Sequence, residues 1–232
     1  MQYRNLSILG KSEQKTREKS VEDFDTELSF IEANSELFLE TFKILSKDCY
    51  KRFTYSEDAT YRISYRIFRI VRCAINSSLE GYYDVTTALL RIAYENHLLM
   101  HYLSENEDEA KLWFEGKRFA PNFVRKKVSY SSDSLYQEMS ECIHSSFKST
   151  SLFTIVEKGK TKAVVGEYDK EKCEQVIILA LMTMATTAIW LSLKFAQELM
   201  QNEEWHSLFS STIPKMPRDS SKIGCTIKKT IL

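Results

Sequence analysis

Glycine and proline are scarce: the 232 residues include only 6 Gly and 3 Pro. A β-rich fold of this length needs many tight turns, and turns draw on those two residues, so the scarcity excludes a sandwich or barrel and points to long helices. An excess of one charge is also missing, since 32 Lys+Arg balance 32 Asp+Glu. That balance excludes bulk polyelectrolyte binding, and any nucleic-acid surface has to be a local patch. The five cysteines (Cys49, Cys73, Cys142, Cys173, Cys225) are odd in number, far apart and without a CxxC pair. They read as free thiols of a reducing compartment. The first twenty residues lack the apolar core of a secretory signal, which makes the cytoplasm the expected location. No GxGxxG, GxSxG or paired-carboxylate motif occurs. Gly159-Lys160-Thr161 ends like a phosphate-binding loop, but Thr154 stands where its first glycine belongs.

What is present is apolar content of 43%, enough for one core. The longest uncharged run, Val176 to Leu193, has about the minimum length for a membrane span. It carries Thr183, Thr186, Thr187 and Ser192 and continues into the amphipathic KFAQELMQNEEW. The expectation is therefore the buried central helix of a bundle, with no membrane.

Hydrophobic spacing divides the chain. Residues 1–16 read as a polar leader and 17–205 as a helical domain. Within it, Ser20 is expected to cap a helix carrying Phe24, Leu28, Ile31, Phe38, Phe42, Leu45 and Cys49, with Asp23 completing a capping box. A second helix follows Thr54 near Glu57 and ends at Gly81; a third runs from about Tyr82 to Leu103. Ser104 with Glu107 suggests a capping box for a fourth. A short basic helix (Phe123 to Val128) follows Pro121, and Ser132 or Asp133 opens the next. LFTIV and AVVGEY, around a Lys/Gly-rich centre, read as a β-hairpin inserted at about 151–168. Asp169 caps a last helix reaching about Glu204, and 206–232 reads as an extended or mobile tail. The expected fold is all-α, an antiparallel helical bundle with a small β-hairpin insertion.

Chemistry concentrates in three places. On the third helix Arg91 and Glu95 share a face, either as an internal ion pair that sets register or as a site presenting Arg91 to an anion. His97 follows Arg91 by six residues, so both can flank one groove. An arginine to stabilise a phosphorane beside a histidine to move protons suits metal-independent cleavage of RNA through its 2′-hydroxyl. His97 and His101 stand four apart, but Leu98 takes the place of the glutamate in HExxH, and neither metal nor cofactor is expected. His144, among Ser140, Ser145 and Ser146, is a second histidine candidate, or a C-terminal residue stabilised by the helix dipole. Finally, Arg62, Arg66, Arg69 and Arg72 form a stripe interleaved with Tyr61, Tyr65 and Phe68. Cationic planes with aromatics suit phosphates and stacked bases; alternatively the arginine stems cover the bundle and pair with acids near 105–109. A second basic cluster comprises Lys117, Arg118, Arg125, Lys126 and Lys127.

The string ALLRIAYENHLLMHYL, the AKLWFEG helix and LYQEMSECIH together resemble a group of uncharacterised bacterial helical proteins with LLR-x3-E on one helix and LY-x2-(L/M)S-x3-H on a later one. Here those positions are Arg91, Glu95, Tyr136, Ser140 and His144, over roughly residues 80–150. Arg91-x5-His97 also resembles the signature of the HEPN superfamily, helical nucleotide-binding and ribonuclease domains of toxins and antiviral systems. That resemblance implies a four- or five-helix bundle, a homodimer with facing motifs, and metal-independent endoribonuclease activity as a toxin or anti-phage effector. Arg91 would hold the phosphate, Glu95 would orient it, and His97 or His144 would serve as acid/base. The stripe from Arg62 to Arg72 would bind the RNA strand. The alternative is a non-enzymatic interaction or regulatory subunit of a defence or toxin-antitoxin complex, with a partner protein.

Overall fold

Thr54 is extended, accepts the Glu57 amide on its hydroxyl and donates its own amide to the Glu57 carboxylate, a reciprocal capping box. From that cap α3 runs over Tyr55–Leu79, and its end is as well defined as its start. Gly81 takes φ +86°, the Tyr82 amide bonds the Ser77 carbonyl and the Gly81 amide bonds that of Ser78. This C-terminal motif needs a residue at ease with positive φ. The turn returns the chain at once into α4, Tyr83–Ser104, which packs along α3.

The structure, a computed structural model, describes residues 4–49, 52–129, 136–137, 139–141, 154–157, 160–163 and 166–212. It is mostly helical. Ahead of α3 lie α1 (Arg4–Asp23), α2 (Asp25–Ile44) and a π-helical turn, Leu45–Cys49. After α4 come α5 (Glu107–Phe114) and α6 (Pro121–Lys127), with proline at the first turn, where its missing N–H costs nothing. Strands β1 (Thr154–Glu157) and β2 (Lys160–Ala163) pair antiparallel, Thr154 opposite Ala163 and Glu157 opposite Lys160. Then follow α7 (Lys170–Lys194), α8 (Ala196–Leu199) and α9 (Glu203–Thr212).

Helix α7 sits against α2, α3 and α4. It is long and apolar enough to cross a membrane, the one such helix among the described residues, and 61% of its apolar window is buried within the fold. Its hydroxyls are satisfied along the helix: Thr183, Thr187 and Ser192 donate to the carbonyls four residues back. Asp169 caps it by accepting the Lys172 amide. The core around it contains Ile31, Phe38, Ile67, Leu90, Met100, Ile177 and Phe195. Trp205 of α9, fully buried, donates its indole N–H to Thr41 of α2.

Several boundaries differ from expectation, each for a tertiary reason. Ser20 caps nothing: it lies inside α1, whose helix starts within the stretch read as a leader. Ser12 and Thr16 both donate to the Gly166 carbonyl, Arg17 pairs with Glu80 at 3.0 Å, and Tyr82 donates to Glu13. Those contacts hold a polar helix to distant residues, which periodicity cannot register. Ser104 ends α4 rather than capping α5, and Glu107 serves α3 instead. The last helix breaks at Phe195, and α9 carries helical structure through Thr212. Ser132 and Asp133 lie outside the described residues.

Candidate functional site

Arg91 and Glu95, one turn apart on α4, form the ion pair their spacing suggests, Nε to Oε1 at 3.2 Å, with side chains 18% and 24% exposed. A third group joins them. Tyr136 accepts a hydrogen bond on its hydroxyl from Arg91 Nη2 at 2.9 Å, and its ring lies 4.9 Å from that guanidinium. Arg125, near the end of α6, puts its guanidinium 4.0 Å from the same ring. The two halves of the LLR-x3-E and LY-x2-(L/M)S pattern therefore meet in space, with two cations on one phenol. Ser140, a turn beyond, donates back to the Tyr136 carbonyl. Arg91 spends two of its five N–H donors on these partners, which leaves three for an anion.

His97 faces elsewhere. It is 8% exposed, and its Nδ1 lies 3.1 Å from Thr187 Oγ1 in the centre of α7. Thr187 gives its hydroxyl hydrogen to the Thr183 carbonyl, so Nδ1 carries the proton and donates to the threonine oxygen. Burial, with His101 adding a smaller effect, lowers the His97 pKa to about 4. A neutral, enclosed imidazole joining α4 to α7 is what that environment favours. The His101 ring lies 4.0 Å from that of Trp190, tilted by 36°, with Nε2 3.8 Å from Glu105; burial lowers its pKa, and Glu105 opposes the shift. No three His, Cys, Asp or Glu converge as metal ligands among the described residues. His144 lies outside the described residues.

Arg62, Arg66, Arg69 and Arg72 are all exposed along α3. Arg62 pairs with Asp58 at 2.8 Å and lies 5.7 Å from the Phe114 ring. Among the described residues Arg66, Arg69 and Arg72 make no ion pair. Three of the four acids near 105–109 have other partners: Glu105 faces His101, Glu109 holds Lys117 at 2.7 Å, and Glu107 accepts the Tyr55 and Ser56 amides at the start of α3. Burial works to raise the Glu107 pKa, but the hydrogen bonds from Ser56, Tyr55 and Thr54 outweigh it and bring it below the usual range. The aromatics divide: Tyr65 is exposed, Tyr61 half-buried, and Phe68, expected on the stripe, is a core residue 5.4 Å from Phe38. Within the second basic cluster Lys117, Arg118, Lys126 and Lys127 are exposed.

The charge cluster on Arg91 was visible in spacing as far as Glu95, and Tyr136 belonged to the recognised pattern. Arg125 carried no signal beyond membership of a basic run. No family model, curated protein or solved structure matches this chain.

Proposed function

We propose that this protein binds RNA through its phosphate backbone, holding the strand on the exposed arginines of α3 as a non-enzymatic HEPN-like helical module. The observation that carries the reading is the stripe Arg66, Arg69 and Arg72, exposed and without an acidic partner among the described residues. Like charges three and four residues apart on a helix destabilise it by roughly 0.2–0.5 kcal/mol per pair. A helix that bears that cost in a chain of zero net charge is suited to an anionic partner. In this reading the fold is an antiparallel bundle with a hairpin insertion. The protein is cytoplasmic and homodimeric, and it serves a defence or toxin-antitoxin complex. The test is fluorescence anisotropy with labelled RNA at several salt concentrations. Arg66→Ala and Arg69→Ala should each weaken binding and reduce the salt slope by about one. Unchanged affinity and slope in both would refute it.

A second reading, metal-independent endoribonuclease activity as a toxin or anti-phage effector, is favoured by one observation: Arg91 keeps three N–H donors free on a partly exposed side chain. Arg91, backed by Glu95 and Tyr136, would hold the scissile phosphate. The proton would pass through His144 in this version, since His97 is neutral and enclosed. Cleavage of cellular RNA in EDTA, lost in both Arg91→Lys and His144→Ala, would establish it; a folded wild type that leaves RNA intact would remove it.

A further inference from the structure

Beside the stripe lies a cavity of about 440 Å³ lined by Ser46, Tyr61, Arg62 and Tyr65. Its aromatic walls are fixed from behind. Phe42, buried on α2, meets the Tyr61 ring at 5.6 Å and 86° and the Tyr65 ring at 5.1 Å and 84°. Edge-to-face contacts of this kind hold both rings in place without covering them completely. Tyr65 remains 45% exposed, an apolar ring set among cations on a surface where burial would be the cheaper arrangement. Arg62 is steadied at the rim by Asp58, so its planar guanidinium is presented at a fixed position. Tyr61 and Tyr65 stand four positions apart on the helix, and Arg66 follows directly.

We propose that this cavity receives one unpaired nucleobase, stacked on Tyr65 beside the Arg62 guanidinium, while the neighbouring phosphates take Arg66 and Arg69. The proposal rests on the RNA-binding reading above and adds the form of RNA bound. A duplex keeps its base faces inside the stack and offers this cavity nothing, whereas a single strand can turn a base into it. Stacking is tolerant of base identity, because every base has a π-face, so the slot selects strandedness rather than sequence.

The experiment is anisotropy of the full chain with three labelled probes of about twelve nucleotides: oligouridylate, an abasic strand and a blunt RNA duplex. Wild type is expected to bind oligouridylate about tenfold more tightly than either other probe, in line with one stacked base. Tyr65→Leu keeps an apolar side chain but removes the ring; it should abolish that preference and leave the salt slope unchanged. Tyr65→Phe should retain both. Equal binding of all three probes by wild type, or a preference that survives Tyr65→Leu, would overturn the slot while leaving the phosphate-binding reading standing. Binding of none of the probes at low salt would overturn both.

Discussion

Arg91 donates to the Tyr136 hydroxyl at 2.9 Å across 45 positions of sequence, and the same guanidinium holds Glu95. One side chain therefore satisfies a carboxylate and a phenol on two different segments. Arg91→Ala should leave Glu95 largely enclosed and without its cation, lowering stability by about 1–3 kcal/mol. Tyr136→Phe keeps the ring beneath Arg125 and should cost about 1 kcal/mol. Urea unfolding of both and of the double variant checks the coupling. Strictly additive losses would mean that the bond contributes nothing of its own.

His97 makes folding sensitive to acid. Its folded pKa is about 4, below the 6.5 usual for a histidine, so the unfolded chain binds the proton more readily. The stability it contributes is fully present above pH 6.5 and drains away as the pH falls towards 4, by about 3 kcal/mol at most. His101, shifted the same way, adds to the trend. Unfolding free energies measured between pH 7 and 5 should fall, and a His97→Asn variant should show a flatter profile across that interval. A wild-type profile without slope there would contradict the buried neutral imidazole.

The stripe arginines should contribute nothing to folding. Arg66→Ala removes repulsion from Arg62 and Arg69 and installs a better helix former, so the melting temperature should hold or rise, by roughly a few tenths of a kcal/mol in stability. A marked loss of stability would show that Arg66 is structural.

Gly81 admits no side chain. Its φ is +86°, and an added Cβ would meet the Glu167 carbonyl oxygen at 2.7 Å. Gly81→Ala should therefore cost more than about 1–2 kcal/mol, through backbone strain together with displacement of the segment entering α7. Calorimetry of the variant is the direct measurement.

Glu107→Gln tests the cap that α5 supplies to α3. The carboxylate accepts the Tyr55 and Ser56 amides at 2.8 and 2.9 Å, where the helix dipole favours negative charge. Loss of that charge should cost about 1 kcal/mol, read as a lower urea midpoint.

What local sequence could announce, it announced. Thr54 with Glu57 marked a helix start, Gly81 an end and Asp169 a cap, because each acts within a few residues of itself. Ile31 and Phe38 fell on the buried side by spacing alone. Other features depend on partners far away in the chain. Ser104 and Glu107 have the spacing of a capping box, yet Glu107 spends both oxygens on α3. Residues 4–16 look too polar to pack, yet Thr16 is buried on a carbonyl contributed by Gly166. At the candidate site, spacing linked Arg91 to Glu95 and left open which way His97 turned. That direction follows from how α7 lies against α4, and Thr187 is a hydroxyl of no special appearance until the two helices pack.

The bond from Thr16 to Gly166 spans 150 residues, and Ser12 reaches the same carbonyl over 154. During synthesis the chain must lengthen past Gly166 before either hydroxyl of α1 can meet its acceptor. The α3–α4 hairpin, whose contacts are local, has no such wait. A nascent chain halted before residue 166 could already pair Arg17 with Glu80 and Tyr82 with Glu13, but the hydroxyls of Ser12 and Thr16 would lack their acceptor, and the full protection of α1 from proteolysis would arrive only when the start of α7 emerges. Helix α1 is made long before the carbonyl that completes its seat.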